Sequence, residues 1–262
     1  MKLSARGLGY SYRAGGRLVL SDLDFTAESG SYWCIAGPNG SGKSTFLKLA
    51  AGLLSTENCA GELFWEEKPV SHWSRLELAR NIAFVPGTLR SHFQITVADF
   101  VLQGRYARSE SFWAHPTNSD SNIAAANIER AGISSLANSL ISEISAGEAQ
   151  LALIARALTQ EPKVLILDEA TANLDLRYQL RIFELVESLN KQGLTIFLVS
   201  HDLNIAAEFC PNVLWMNDGT VYSQGPMAET LTNSLMADLY DVAGKIEVGK
   251  NPFTGRTKVF WK

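Results

Sequence analysis

The chain has few cysteines, no block of single-sign charge and no long apolar run. Its three cysteines, Cys34, Cys59 and Cys210, are far apart, odd in number and outside any C-x-x-C spacing. That pattern is not a disulfide framework, and it suits reduced thiols in a cytosol. The four histidines (His72, His92, His115, His201) show no metal-ligand spacing. Lys and Arg number 23 against 27 Asp and Glu, a net charge of −4. With no basic tail, Arg-rich run or aromatic–basic interleaving, nucleic acid is not expected as a partner. No stretch approaches the roughly 18 apolar residues of a membrane span. The first residues, Met1 to Gly7, hold no apolar h-region, so no signal peptide is expected. The chain reads as soluble, which leaves docking onto a membrane partner open. There is no internal repeat and no low-complexity segment.

What is present is concentrated in one stretch: Gly37-Pro38-Asn39-Gly40-Ser41-Gly42-Lys43-Ser44-Thr45. It fits G-x-x-x-x-G-K-[ST], a phosphate-cradling loop. An apolar run, Tyr32 to Ala36, precedes it and reads as a buried strand; Thr45 to Ala51 follows and reads as a helix. Glycines let backbone N–H groups turn inward, and the helix end adds roughly half a positive charge. Lys43 would reach the β- and γ-phosphates, and the Ser44 hydroxyl would hold Mg²⁺. The chain is therefore expected to bind a nucleoside triphosphate.

Residues 2–36 alternate and turn like antiparallel strands, broken at Gly15-Gly16 and Ser29-Gly30. Gly61 to Trp65 and Asn81 to Val85 read as short strands. From Gly87 the character changes. Val97 to Leu102 has helical spacing, His115 to Asn122 is polar and loop-like, and Ile123 to Ala131 and Gly147 to Thr159 read as helices. The core resumes with strand 164–167, helix 176–190 and strand 195–199. Such strand–helix–strand alternation implies a parallel sheet. Val213 to Met216 and Val221 to Ser223 flank a tight Asn217-Asp218-Gly219 turn. The expected division is one domain over 1–262. Its core is 1–86 with 161–230, its helical insertion is 87–160, and a helix-and-hairpin appendage covers 231–262.

The strand Val164 to Leu167 runs into Asp168 and Glu169. Asp168, at the carboxyl end of a parallel strand, can sit beside Mg²⁺. Glu169 should point elsewhere, because strand residues alternate, and can accept a hydrogen bond from attacking water. Ile144-Ser145-Ala146-Gly147-Glu148-Ala149-Gln150 opens a helix with the S-x-x-E spacing of a capping box. It is also similar to the Leu-Ser-Gly-Gly-Gln/Glu signature of ATP-binding cassette (ABC) proteins. The order of motifs matches that family: phosphate loop, helical insertion, signature, acidic strand end, Ala172-Asn173-Leu174-Asp175, then Ser200-His201-Asp202.

The resemblance implies an α/β P-loop NTPase of the ABC ATPase fold. That fold has a parallel core sheet, an antiparallel N-terminal β-subdomain and an inserted helical subdomain. It also implies ATP and Mg²⁺ as ligands and two cassettes paired head to tail. Ser145 and the Gly147 backbone, with Glu148 in the same stretch, would face the γ-phosphate held by the partner's phosphate loop. Glu169 and His201 would be catalytic, His201 touching the γ-phosphate and helping to place water. Asp175 would link the two sites. Tyr12 would stack on adenine, with Tyr10 as the competing candidate; such stacking is worth about 1–3 kcal/mol by analogy with base stacking.

Two departures from the family stand out. Gly87 follows Val85-Pro86 where the family has a Gln that ligates Mg²⁺ and signals to the membrane partner. Thr88 or a water could fill that place; Gln94 is too far along. Ala146 replaces the first signature glycine. ATP binding should be intact and hydrolysis slower than in a full-motif cassette, with Gly87→Gln raising it.

Ile95 to Tyr106 resembles the Thr-Val-x-x-x-Val-x-x-Gly-Arg-Tyr stretch of ATPases from importers of iron–siderophores, haem or cobalamin. Asn251-Pro252-Phe253-Thr254-Gly255-Arg256 is similar to their C-terminal Asp-Pro-x-Thr-Gly hairpin. The implied partners are a second cassette, expected to be an identical copy, and integral membrane permease subunits. An extracytoplasmic substrate-binding protein would take part indirectly. The chain would be peripheral, on the cytoplasmic face of the membrane, and residues 103–113 would lie near the groove for a permease coupling helix. A soluble ABC ATPase of the iron–sulfur assembly kind and a low-turnover ATP-driven clamp are the alternatives.

Overall fold

Alternating inward and outward residues build the first sheet. In the computed structural model, which describes residues 1–88, 94–109 and 115–262, β1 (Leu3–Tyr10) pairs antiparallel with β2 (Leu20–Ala27). Along β2, Leu20, Leu23, Phe25 and Ala27 are buried while Asp24 and Thr26 are exposed, the period-2 pattern of a half-buried strand. After β3 (Tyr32–Ala36) and α1 (Lys43–Ala50), β4 (Cys59–Trp65) pairs with β1 and the short β5 (Lys68–Pro69) with β4.

Next come α2 (Arg75–Asn81), β6 (Ile82–Pro86), α3 (Val97–Leu102), α4 (Asn118–Arg130) and α5 (Ala146–Thr159), then β7 (Val164–Asp168) and α6 (Leu176–Lys191). The chain ends with β8 (Thr195–Val199), α7 (Leu203–Phe209), β9 (Asn212–Asn217), β10 (Thr220–Pro226), α8 (Met227–Thr230), α9 (Asn233–Tyr240), β11 (Ile246–Lys250) and β12 (Thr257–Trp261).

Two units result, Met1–Trp73 with Thr195–Lys262, and Ser74–Leu194. In the first, β3 lies between β8 and β9 and is parallel to both, with β10 antiparallel on β9. All five residues of β8 are buried, as expected for a strand covered on both faces. Thus β3 ends an otherwise antiparallel-looking stretch of sequence by joining parallel neighbours. In the second unit β6 and β7 pair parallel from Ile82↔Val164 to Pro86↔Asp168.

The two units divide at 73/74 and 194/195. Side chains tie these strands to the helices. Gln150 Nε2 donates to the Pro86 carbonyl (3.1 Å) and Gln160 Nε2 to that of Ile82 (3.0 Å), while Arg80 Nε of α2 donates to the Ala107 carbonyl in the turn after α3 (2.8 Å).

Local signals explain two further differences. The polar stretch from 115, read as loop, turns helical at Asn118 because Thr117 and Asp120 close a capping box. Helix α2 was not expected, yet Ser74 and Glu77 form the same device: the Glu77 N–H donates to Ser74 Oγ (3.1 Å) and the Ser74 N–H to Glu77 Oε2 (2.7 Å). His92 and residues 110–113 of the expected coupling region lie outside the described residues.

Candidate nucleotide site

In the first unit the register Ile35↔Val199 brings the loop after β3 and the Ser200-His201-Asp202 turn after β8 to the same carboxyl edge of the sheet. Ligands of parallel sheets collect at that edge. An aromatic cluster anchors it. Phe46 of α1 is fully buried, with its ring edge-on to Phe25 at 5.8 Å, and Phe25 also meets Trp33 and Phe197 of β8. Offset and edge-on pairs of this kind add to the area buried.

The loop geometry requires glycine at two places. Gly37 has φ +142°, and a Cβ there would lie 2.0 Å from the Met216 carbonyl oxygen. Gly42 is left-handed at φ +96°, and a Cβ would meet Leu20 Cδ2 at 2.7 Å. As N-cap of α1, Gly42 supplies no side-chain cap, and the first turn of α1 holds no acidic residue. Lys43 is buried at 5% exposure, its Nζ donating to the carbonyls of Gly37 (2.9 Å) and Pro38 (2.8 Å). Ser44 is half-buried, and Asn39 and Gly40 are exposed at the loop's tip.

Tyr10 is buried, whereas Tyr12 is 56% exposed and shares a 2.9 Å hydrogen bond between its hydroxyl and Thr45 Oγ1. The Tyr12 ring stands edge-on to Tyr10. His201 is exposed, one residue before the N-cap of α7. Tyr240, at the end of α9, also reaches the loop. Burial pushes its phenol up to about 12, Cys34 adds to the rise, and a hydrogen bond from the Gly37 backbone opposes it. No sequence signal announced that contact, because it joins distant segments.

In the second unit Asp168 is buried at the end of β7. Glu169 does not continue the strand's alternation. It takes a left-handed backbone, φ +57°, as does Asn173 at φ +60°. The chain therefore leaves β7 by a backbone reversal rather than by one more step of the strand's alternation. A non-glycine residue held there stores of order 1–3 kcal/mol of strain. Gly87, opposite on β6's exit, lies close against this turn: a Cβ would sit 2.9 Å from the Glu169 carbonyl oxygen and 3.2 Å from that of Asp168.

Helix α5 opens with a closed capping box. Glu148 Oε2 accepts from the Ser145 N–H (2.8 Å) and from Ser145 Oγ (2.7 Å), and the Glu148 N–H donates back to Ser145 Oγ (3.4 Å). The Ser145 hydroxyl first, and its N–H second, hold the Glu148 carboxyl below the usual carboxylate range. Gly147 is buried, and a Cβ on it would lie 2.4 Å from the Tyr178 ring. Tyr178 belongs to α6, which Asp175 caps by accepting the Tyr178 N–H at 3.0 Å. Tyr178 thus joins the signature stretch to the Asp175 turn. Sequence reading missed it; its place three residues after a helix-capping Asp was the available signal.

Residues 20–172 match the ABC transporter family. This chain belongs to the ABC transporter family. It is an ATPase of the ABC type. The cassette is 34% identical to the iron(3+)-hydroxamate import ATP-binding protein FhuC of Bacillus subtilis, covering 93% of this chain and 89% of that one. It is 34% identical to the hemin import ATP-binding protein HmuV of Nocardia farcinica, covering 97% and 86%. Among solved structures, it resembles a metal-chelate-type ABC transporter in an inward-facing conformation, with TM-score 0.84, 27% identity and coverage of 99% and 97%. The fold is that of an ABC ATPase. Among the described residues no helix of the cassette is long and apolar enough to cross a membrane.

Proposed function

We propose that this cassette is the ATP-hydrolysing subunit of a membrane importer for metal chelates of the iron–siderophore, haem or cobalamin kind. The observation that carries the proposal is the similarity along 93–97% of the chain to FhuC and HmuV relatives. The importer-like stretches at 95–106 and 251–256 support it. The cassette works as a pair of identical copies on the cytoplasmic face of the membrane, docked on permease subunits that a binding protein supplies from outside.

ATP is the substrate. The backbone of residues 37–42 and the Lys43 ammonium hold its phosphates, Lys43 turning from the Gly37 and Pro38 carbonyls toward the β- and γ-phosphates. Thr45 closes the loop, and the exposed Tyr12 ring offers a face to adenine. Ser44 and Asp168 are the residues that would hold Mg²⁺. One hydroxyl and one carboxylate suit an ion that keeps waters and phosphate oxygens as its other ligands. When bound, the ion neutralises charge on the transferring phosphoryl group.

Glu169 accepts a hydrogen bond from the attacking water, and His201 helps orient that water at the γ-phosphate. Ser145 and Gly147 of the opposite copy, with Glu148 behind them, complete the γ-phosphate contacts, and Asp175 links the two sites. Two bound ATP molecules close the pair, and losing the γ-phosphate contacts reopens it. A slowly hydrolysing ATP-driven clamp is the second reading. The observation behind it is Gly87, whose position brings no side-chain ligand.

The test is a tagged pull-down from detergent-solubilised membranes of the native host. A polytopic permease in roughly equal amount supports the importer. Recovery from the soluble fraction alone, or with an assembly scaffold, would sink it.

A further inference from the structure

The hairpin β11–β12 packs on α7 along β12 and through its polar turn, and β11 touches α9, where the Val248 N–H donates to Asn233 Oδ1 at 2.8 Å. Helix α7 has seven residues, too few to hold itself together without tertiary support. Its N-cap is Asp202, whose Oδ1 accepts from the N–H groups of Asn204 (3.0 Å) and Ile205 (3.1 Å), while the Asp202 N–H donates to Ser200 Oγ (3.2 Å). His201 sits between those anchored residues, so a shift of α7 is a shift of His201.

Positions 204 and 208 lie one turn apart on one face of α7. Both are held by the hairpin. Asn204 Oδ1 accepts the Val259 N–H at 2.8 Å. Glu208 Oε2 accepts from Thr254 Oγ1 at 3.0 Å and Asn251 Nδ2 at 3.3 Å.

The turn that presents these donors is itself rigid. The Asn251 N–H donates to the Arg256 carbonyl (2.7 Å), the Gly255 N–H to the Asn251 carbonyl (2.8 Å), and the Phe253 N–H to Asn251 Oδ1 (3.0 Å). Thus Asn251 and Thr254 point at α7, while Phe253 between them is 95% exposed. The Asn-Pro-Phe-Thr-Gly stretch is built to present two donors to one carboxylate.

We infer that the C-terminal hairpin braces α7 and thereby sets His201, with Glu208 as the positioning residue that joins hairpin to helix. This rests on the reading of His201 as a γ-phosphate contact. The Glu208 carboxylate never touches ATP. It acts by fixing the helix whose cap follows the histidine.

Steady-state ATPase assays on the full chain test this. Glu208→Ala should lower kcat about tenfold with KM for ATP unchanged within about twofold, as for an interaction felt only in the transition state. Glu208→Gln keeps an acceptor oxygen and should recover most of the rate. In a His201→Ala background the Glu208→Ala loss should vanish, since residues acting through one another are not additive. Thr254→Val removes one hydroxyl at constant shape. It should lower kcat about threefold, in the range of one lost hydrogen bond, and it serves if Glu208→Ala impairs folding.

Unchanged kcat in both Glu208→Ala and Thr254→Val, beside a His201→Ala that is slowed but still measurable, would overturn the brace alone. A Glu208→Ala loss of equal size with or without His201 would overturn it too. Wild-type turnover in His201→Ala would instead overturn the role of the histidine, and the purpose of the brace with it.

Discussion

Helices α1 and α5 both carry a glycine at or just inside their N-terminus, Gly42 as the N-cap of α1 and Gly147 in the first turn of α5, and the two N-termini are treated in opposite ways. Gly42 gives α1 no side-chain cap, its first turn carries no acid, and Lys43 is buried at its start. Helix α5 arrives with its own anion: Glu148 closes a capping box on Ser145 and is held in the ionised form by it. A phosphate at α1 meets a positive end prepared for it. A phosphate approaching α5 competes with Glu148 for the Ser145 hydroxyl. On the proposed reading, affinity for nucleotide is built into the first helix, and the second would contribute only when a partner's nucleotide displaces a bond already made.

The sharpest way to break this contrast is at the first helix. Lys43→Ala should reduce ATP affinity by about a hundredfold or more, the scale of a lost charge-assisted donor in a water-poor site. Equilibrium binding of a fluorescent ATP analogue measures it, and near-normal affinity would contradict the contrast. Gly147→Ala comes next. The added Cβ would lie 2.4 Å from the Tyr178 ring, so overpacking should cost about 1–3 kcal/mol in chemical denaturation. Single-cassette ATP binding should persist. Loss of ATP binding in that variant would show that α5 shares the primary affinity.

Gly87→Gln carries a smaller effect with an informative sign. The missing Gln invited the expectation that restoring it speeds hydrolysis. Its Cβ, however, would crowd the Glu169 carbonyl at 2.9 Å and displace a turn already in a left-handed backbone. Turnover should stay level or fall; a several-fold rise would contradict the crowding.

The smallest expected effect is electrostatic. At the analogous box on α4, the Thr117 N–H, then the Thr117 hydroxyl, then Arg105 lower the Asp120 carboxyl to about 2. A depressed carboxyl stabilises the fold fully above its unfolded pKa of about 3.9 and loses that contribution as pH falls through the folded value. Asp120→Asn should therefore flatten the decline of the urea midpoint between about pH 4 and pH 2. An unchanged slope would remove Asp120 from the account.

Much of this was legible before any coordinates. The buried strands at 164–168 and 195–199, the loop at 37–45 and the helix opening at Ser145 are local patterns: apolar runs, glycine spacing, S-x-x-E. The capping boxes at Ser74 and Thr117 carried the same kind of signal, but they stand before a short helix and a polar stretch, where periodicity is weak. Glu169's reversed backbone was hidden because it looks like one more strand residue. Tyr178 over Gly147, Tyr240 at Gly37 and Glu208 under the hairpin turn were not legible. Each depends on packing between segments that no spacing rule connects.

One measurement reaches the central claim, that ATP held at α1 of one copy is completed by α5 of another. It is the solution mass of Glu169→Gln by light scattering with ATP and Mg²⁺, then with ADP. The account predicts a dimer with ATP and a monomer with ADP, and a monomer under both conditions when Ser145→Arg is added. A monomer with ATP in Glu169→Gln, or a dimer indifferent to Ser145→Arg, would contradict it.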